Sequence, residues 1–327
     1  MDALQTLIAK IISPLFYPFL PDQRIHVLYL GTALGLAFLV FLAVRPAGGY
    51  GGLRGFLRFC FPKAVYRHPS AQVDYLYFLV NRAGTALLFA PMLIGAASIS
   101  ATLTPLMDAL WGPAYGAAQP SALALALLTA AALLAMDLGL FCAHYMQHKV
   151  PLLWEFHKVH HSAEVMTPIT VYRMHPVDDL LSGSLVGLLT GVVHAVFMHR
   201  YGAAGAEFTV LKLNLGVFLF YLFGYNLRHS HIWLPYPGWL SHLLISPAQH
   251  QIHHSDAPRH FDRNLGFIFA FWDWFAGTLY VPRGREDIRY GLYAGEHRDY
   301  DSVWKLYVLP FRKAATLLRA GERERRA

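Results

Sequence analysis

The chain has 327 residues, 55% of them hydrophobic and 14% charged. Soluble globular proteins carry about a quarter charged residues, so the composition excludes an ordinary soluble domain and predicts a membrane protein. The net charge of +7, with a pI near 9.4, sits mainly in segments flanking apolar stretches, which argues for loops of a membrane protein and against a nucleic-acid partner.

Residues 1–22 are apolar but broken by Pro14, Pro18 and Pro21. They lack the charged start, long core and small-residue cleavage site of a signal peptide, and read as a short interfacial helix. Three stretches are long and apolar enough to cross a bilayer: 26–44, 84–105 and 121–143. Weaker candidates lie at 181–198 and 206–225, readable as a hairpin or as partly re-entrant. The Gly48–Gly52 run follows no strand and lacks a Gly-Lys-Ser/Thr ending, so it reads as a plain loop. Segments 46–83, 144–180 and the region after Arg228 carry the basic residues, whereas 106–120 has no Lys or Arg. The positive-inside bias places the three basic segments in the cytoplasm. The basic C-terminal run from Arg312 to Arg326 reads as a solvated or lipid-surface helix. Spans and histidine clusters interleave, so the chain reads as one membrane domain over 1–327.

Cys60 and Cys142 form no CxxC pair, which removes thiolate zinc sites, iron–sulfur clusters and disulfide frameworks. Histidine is the anomaly: there are 18, and fourteen fall between His144 and His254. In HYMQH, His144 and His148 are four apart and share a helical face; alone, the pair could equally be interfacial. In HKVHH, His157, His160 and His161 converge on one face. HQIHH repeats the pattern with His250, His253 and His254. Imidazoles this close would repel if protonated and are better explained as neutral metal ligands. With His175 and His229 the set reaches ten. One zinc takes three or four protein ligands, so eight to ten imply two metals, and imidazole suits iron, copper, nickel or zinc. His26, His68, His260 and His297 read as surface or interfacial, His194 and His199 as buried polar contacts on the far side, and His242 as isolated. Asp137, seven residues before His144 in an apolar span, reads as a hydrogen-bond partner of a ligand histidine.

These motifs resemble the fatty acid hydroxylase/sterol desaturase superfamily of membrane-bound, non-haem di-iron enzymes. The resemblance rests on HYMQH (144–148), HKVHH (157–161) and HQIHH (250–254), with the flanks HSAEVMTPITVYRMHP (161–176), NLG (264–266) and FWDWFAGTLY (271–280). It covers about Leu138 to Tyr280 and marks 138–280 as the catalytic region. It implies an all-α integral membrane fold of about four to five transmembrane helices, with a cytoplasmic helical cap holding a histidine-rich dimetal site. It implies two iron ions (zinc being an alternative occupant on isolation), dioxygen as co-substrate and a lipid substrate in the bilayer. Ligand roles carry over onto His144, His148, His157, His160, His161, His250, His253 and His254, with His229 as the single histidine between the halves and His175 on the His-Pro position. Tyr225 stands where fatty acid hydroxylases have a further histidine; this and His175 favour the sterol-desaturase-like branch. Tyr225, Asn264 and Asp137 are expected beside the ligands, and no catalytic residue beyond the ligands is expected.

The resemblance implies hydroxylation or desaturation of a sterol-like or fatty acyl lipid at the inner membrane, with the metals on the cytoplasmic side. An alkylglycerol-type ether lipid monooxygenase is the near alternative; a zinc-dependent lipid hydrolase and a metal transporter are remoter. No haem, dinucleotide or iron–sulfur motif is present, so electrons are expected from a separate electron-transfer protein docking on the basic face, with Arg173 and Lys158 as contacts.

Overall fold

A computed structural model describes residues 3–44, 51–88, 92–112, 119–202, 207–210 and 213–326. Of the Gly48–Gly52 loop, Gly48 to Tyr50 lie outside these residues. The described residues form fourteen α-helices: α1 (Ala3–Ile12), α2 (Val27–Val44), α3 (Gly52–Cys60), α4 (Lys63–Tyr66), α5 (Pro69–Leu88), α6 (Ala96–Trp111), α7 (Ala122–Lys149), α8 (Pro151–His161), α9 (Pro176–Tyr201), α10 (Leu215–Leu222), α11 (Gly238–Ser241), α12 (Pro247–His253), α13 (Phe271–Ala276) and α14 (Val303–Arg326). A two-stranded antiparallel hairpin, Thr209–Val210 with Leu213–Asn214, is the one named sheet among them.

Among the described residues three helices, α2, α7 and α9, are long and apolar enough to cross a membrane. The span expected at 84–105 is interrupted. Helix α5 ends at Leu88, α6 begins at Ala96, and Ile94 and Gly95 between them are not helical. The stretch 206–225 is likewise no continuous span: it holds the hairpin and the eight-residue α10, which at 1.5 Å per residue is about 12 Å long.

Helix α7 has 28 residues, about 42 Å, and outruns a hydrocarbon core of about 30 Å. Its last turns therefore carry His144 and His148 beyond the apolar section. Ser121 caps its start by accepting from the Ala124 N–H at 3.2 Å. Pro151 cannot continue the hydrogen-bond ladder, so the chain turns at Val150 and opens α8 with Pro151 in the first helical position. That turn sets the HKVHH face against the end of α7.

Helix α9 is wedged between α6 and α7 by glycine. Gly183, Gly187 and Gly191 recur every four residues and face the α6 side. A Cβ on Gly187 would clash with the Ile94 carbonyl oxygen, and one on Gly191 would meet the Ile99 Cβ at 2.5 Å. On the α7 side, a Cβ on Gly139 would meet the Val186 Cα at 2.9 Å. Small residues that let backbones touch are the main packing device between helices in lipid.

Beyond α10 the chain wraps the C-terminal end of α7 and helix α8. Leu244 and Phe269 form an antiparallel bridge, and α14 packs across α8 and α5. Arg173, 1% exposed, locks this wrap: it donates to Asp74 at 2.7 Å and to the Val159 and Tyr300 carbonyls at 2.9 and 3.0 Å. It is a buried strut and not a docking residue.

Replacing Gly187 with alanine forces α9 off the backbone of Ile94. We expect a loss of about 1–3 kcal/mol, the usual cost of overpacking. Thermal unfolding in detergent should show a clear drop, and an unchanged midpoint would refute the close α6–α9 contact.

Candidate metal centre

Nine histidines from α7, α8, α12 and the turn before Ser230 collect into two groups. His144, His148, His157, His161 and His253 form one; His160, His229, His250 and His254 form the other. Within each group the ligand-capable nitrogens lie within 4.8 Å of one another. The two HxxHH motifs are used in opposite proportion. Helix α8 gives His157 and His161 to the first group and His160 to the second. Helix α12 gives His253 to the first and His250 and His254 to the second. Residues i and i+4 point one way and the third imidazole points to the neighbouring group, so each helix bridges both. Ser246 and Gln249 cap α12 reciprocally and Pro247 starts it, which fixes its rotation.

Hydrogen bonds orient the first group. His144 Nδ1–H donates to the Leu265 carbonyl at 2.7 Å, and His253 Nδ1–H to that of Arg263 at 2.9 Å. His148 Nδ1 lies 3.2 Å from an Asp262 carboxylate oxygen, and His157 Nδ1 3.3 Å from one of Asp178. Carbonyls and carboxylates only accept, so in the neutral rings the proton sits on Nδ1 and the Nε2 lone pair is free. The Nε2 atoms of His148, His157, His161 and His253 are buried with no hydrogen-bond partner. Three orphaned lone pairs, on His148, His157 and His253, with the unpartnered His161 Nε2 beside them, are what a metal ion would satisfy.

In the second group, His229 Nε2 lies 3.4 Å from His160 Nε2 and 3.1 Å from His250 Nε2, which is 3.2 Å from His254 Nε2. Nitrogens bound at about 2.0–2.1 Å to one ion, at roughly right angles, would stand about 3 Å apart. The residues present therefore fit two imidazole-bound metal ions.

The shell around them is carboxylate-rich, and of its carboxylates the sequence reading named only Asp137. Asp273 accepts from the Leu265 and Gly266 N–H groups, both at 2.7 Å, and from Thr278 Oγ1 at 2.6 Å. This fixes the loop whose Leu265 carbonyl holds His144. A Cβ on Gly266 would meet the Phe269 carbonyl oxygen at 2.6 Å, so the NLG motif needs glycine there. Asp137 does not make the hydrogen bond to a ligand histidine expected of it. It accepts from the Ile268 and Phe269 N–H groups at 2.7 and 3.0 Å and from Trp272 Nε1 at 2.9 Å, and so clamps the same loop from the membrane side. Asn264, at φ +57°, donates to the Gln249 carbonyl at 3.0 Å and accepts from Tyr280 N–H at 2.7 Å; it ties this loop to α12. Tyr225 is buried against Phe220, Tyr221 and Phe267 and lines a cavity.

His175 stands apart from both groups. Its Nδ1 accepts from the Val177 N–H at 3.2 Å, and its Nε2 faces the Tyr307 carbonyl at 3.3 Å. Both nitrogens are spent, one capping α9 and one on α14, so the ligand role expected of it fails. His231 donates to the Phe59 carbonyl, His242 sits on the Gly238 carbonyl, and His199 pairs with Asp108 and His194 with Glu207. His260 is fully buried beside Glu286, not at the surface. Lys158 is held by Glu155 and Glu296.

A cavity of about 390 Å³ runs along both groups, touching His144 and His157 of one and His160, His229 and His250 of the other. A second, of about 280 Å³, reaches His148, His161 and His253 from the opposite face.

Burial, and then neighbouring positive charge, lowers the pKa of His157, His161, His229, His250, His253 and His254, and brings His160 down to about 3. Unfolded histidine titrates near 6.5. Between about 6.5 and about 3 the unfolded chain binds protons that the folded cage refuses, so stability falls as pH falls through that window. Metal-free protein should unfold at a lower temperature at pH 5.5 than at pH 7.5; equal midpoints would contradict the neutral cage. Asp273→Ala should release the Leu265 loop and weaken metal retention by the first group about 10–100-fold, the usual cost of losing an outer-shell partner, as measured by chelator competition.

Residues 129–278 match the family model described as fatty acid hydroxylase. Among curated proteins the chain is 26% identical over 161 residues to an alkylglycerol monooxygenase of Danio rerio, covering 49% of this chain and 32% of that protein. It is 28% identical over 149 residues to an ornithine lipid hydroxylase of Rhizobium tropici, covering 45% and 40%. It is 25% identical over 146 residues to a Delta(7)-sterol 5(6)-desaturase of Gibberella zeae, covering 45% and 39%. The chain thus spans well under half the length of these relatives. No solved structure matches it significantly. The stretch 129–278, which carries all nine histidines of both groups, matches the fatty acid hydroxylase model, and it lies in a chain whose described residues include three helices long and apolar enough to cross a membrane.

Proposed function

We propose that the chain is a membrane-bound, non-haem di-iron oxygenase that hydroxylates or desaturates a lipid, using dioxygen and electrons from a separate protein. The observation that carries this is the pair of histidine groups, five and four strong, opening on one cavity. His144, His148, His157, His161 and His253 would hold one iron, and His160, His229, His250 and His254 the other. Bound iron supplies the activation of dioxygen and the removal of hydrogen from an unactivated C–H bond.

The chain's own residues do the rest. Leu265, Arg263, Asp262 and Asp178 hold imidazole rings in the tautomer that presents Nε2. Asp137 and Asp273 fix the loop 262–269, which carries the first three of those contacts. Tyr172, Tyr225 and Phe267 give the cavity walls that exclude water beside the reacting carbon. The basic loops support a cytoplasmic metal site at the inner membrane, with 138–280 as catalytic region and the chain beyond α10 as its cap.

An ether lipid monooxygenase is the alternative within the same chemistry. A metal transporter would string its ligands along a path through the spans, whereas these gather at one end of α7. A zinc hydrolase would need three or four ligands and a base.

Purified, metal-replete protein should contain two iron ions per chain and consume dioxygen on reduction. His161→Ala and His254→Ala should each lower the content toward one. One ion in the parent protein, or no dioxygen uptake with two irons bound, would refute the reading.

A further inference from the structure

The cavity beside both histidine groups carries a charge that the proposed chemistry does not use. Its charged lining, histidines apart, is Asp22, Arg24, Arg82, Asp179 and Arg228. Arg82 and Asp179 are a mutual ion pair. Arg228 is 2% exposed, donates to the Phe267 and Gly266 carbonyls at 2.6 and 3.3 Å and lies 3.3 Å from His250 Nδ1, so it is a strut between the loop and the second histidine group. Asp22 is exposed and takes a hydrogen bond from Gln23.

Arg24 differs from these. It is partly buried, its guanidinium carbon lies 5.7 Å from the centre of the Phe267 ring, and its side chain meets the Tyr221 hydroxyl. Among the described residues no carboxylate comes within ion-pair distance of it. Its backbone is nevertheless pinned: the Arg24 carbonyl accepts from Asn226 Nδ2 at 3.0 Å, three residues before His229. The carboxylate whose charge reaches it, Asp179, is already paired with Arg82, so this guanidinium in an aromatic-walled cavity has donors left for an anion that arrives with the ligand.

We propose that Arg24 anchors an acidic lipid, binding a carboxylate or phosphate on its head while the chain lies between Tyr172, Tyr221 and Phe267 toward the two histidine groups. This rests on the lipid-oxygenase reading for what happens to the bound lipid, but the binding itself does not.

The test is equilibrium binding to the full-length, metal-loaded protein in non-ionic detergent, using lipids matched except at the head. Stearate is compared with methyl stearate, and dioleoyl phosphatidate with dioleoylglycerol; inorganic phosphate is the free-anion arm. The acidic member of at least one pair should bind about ten- to a hundredfold tighter, the range of a charge-assisted hydrogen bond. Arg24→Gln should remove that preference and Arg24→Lys should keep part of it. Equal binding of both members in the unmutated protein overturns the proposal, as does a preference that survives in Arg24→Gln. Competition by millimolar phosphate alone would assign Arg24 to free anions and overturn the lipid head. Should Arg24→Gln not fold, the matched pairs on the parent protein and Arg24→Lys decide. A head-group preference without dioxygen uptake upholds this site and refutes the oxygenase reading; oxidation of a lipid bound without preference does the reverse.

Discussion

Nine imidazoles packed into two buried groups are tolerable only if they stay neutral and if something takes up the lone pairs they aim inward. A buried polar atom without a partner is expensive, and here the Nε2 atoms of His148, His157, His161 and His253 are all in that position. The rest of the chain is arranged around this demand. Long, apolar α7 projects two of the rings past the membrane section, Pro151 turns the chain so that α8 faces them, and the capped α12 closes the cage from the far side.

The cage does not hold its own orientation. The loop 262–269 presents Leu265, Arg263 and Asp262 to three rings, and it is itself clamped by Asp273 from one side and Asp137 from the other. This gives the NLG and FWDWFAG stretches a physical role. Gly266 permits the close approach of backbone to Asp273, Asn264 adopts the left-handed turn, and Gly277 at φ +71° ends α13 so that Thr278 can reach Asp273. Metal-binding capacity and loop geometry are thus one construction, linked through carboxylates that touch no metal position.

Much of this was legible in the sequence, and what was not has physical reasons. Spacing alone put His157, His160 and His161 on one face, as it did His250, His253 and His254. It could not say that each motif divides between two groups, because that depends on the crossing of α8 and α12. His175 looked like a ligand because of the proline beside it, yet the same proline starts α9 and makes His175 its cap. Asp137 stood out as a carboxylate in an apolar stretch and was expected on a ligand histidine, but its backbone partners, Ile268 and Phe269, lie 131 and 132 residues away. Asp178, Asp262 and Asp273 carried no local pattern. For the helix packing a signal did exist: Gly183, Gly187 and Gly191 form a four-residue repeat within an apolar stretch. Hydropathy alone read 84–105 as a span, whereas the chain breaks there to bring Ile94 and Ile99 against those glycines. Arg173 looked like a surface cation and is instead the buried partner of Asp74.

The central claim is spatial: one metal ion in each histidine group. Anomalous diffraction at the iron absorption edge, on crystals of metal-replete protein, tests it most directly. The account predicts two peaks, one ringed by the Nε2 atoms of His144, His148, His157, His161 and His253, the other by those of His160, His229, His250 and His254. A single peak, or a peak ligated by His175, would contradict it.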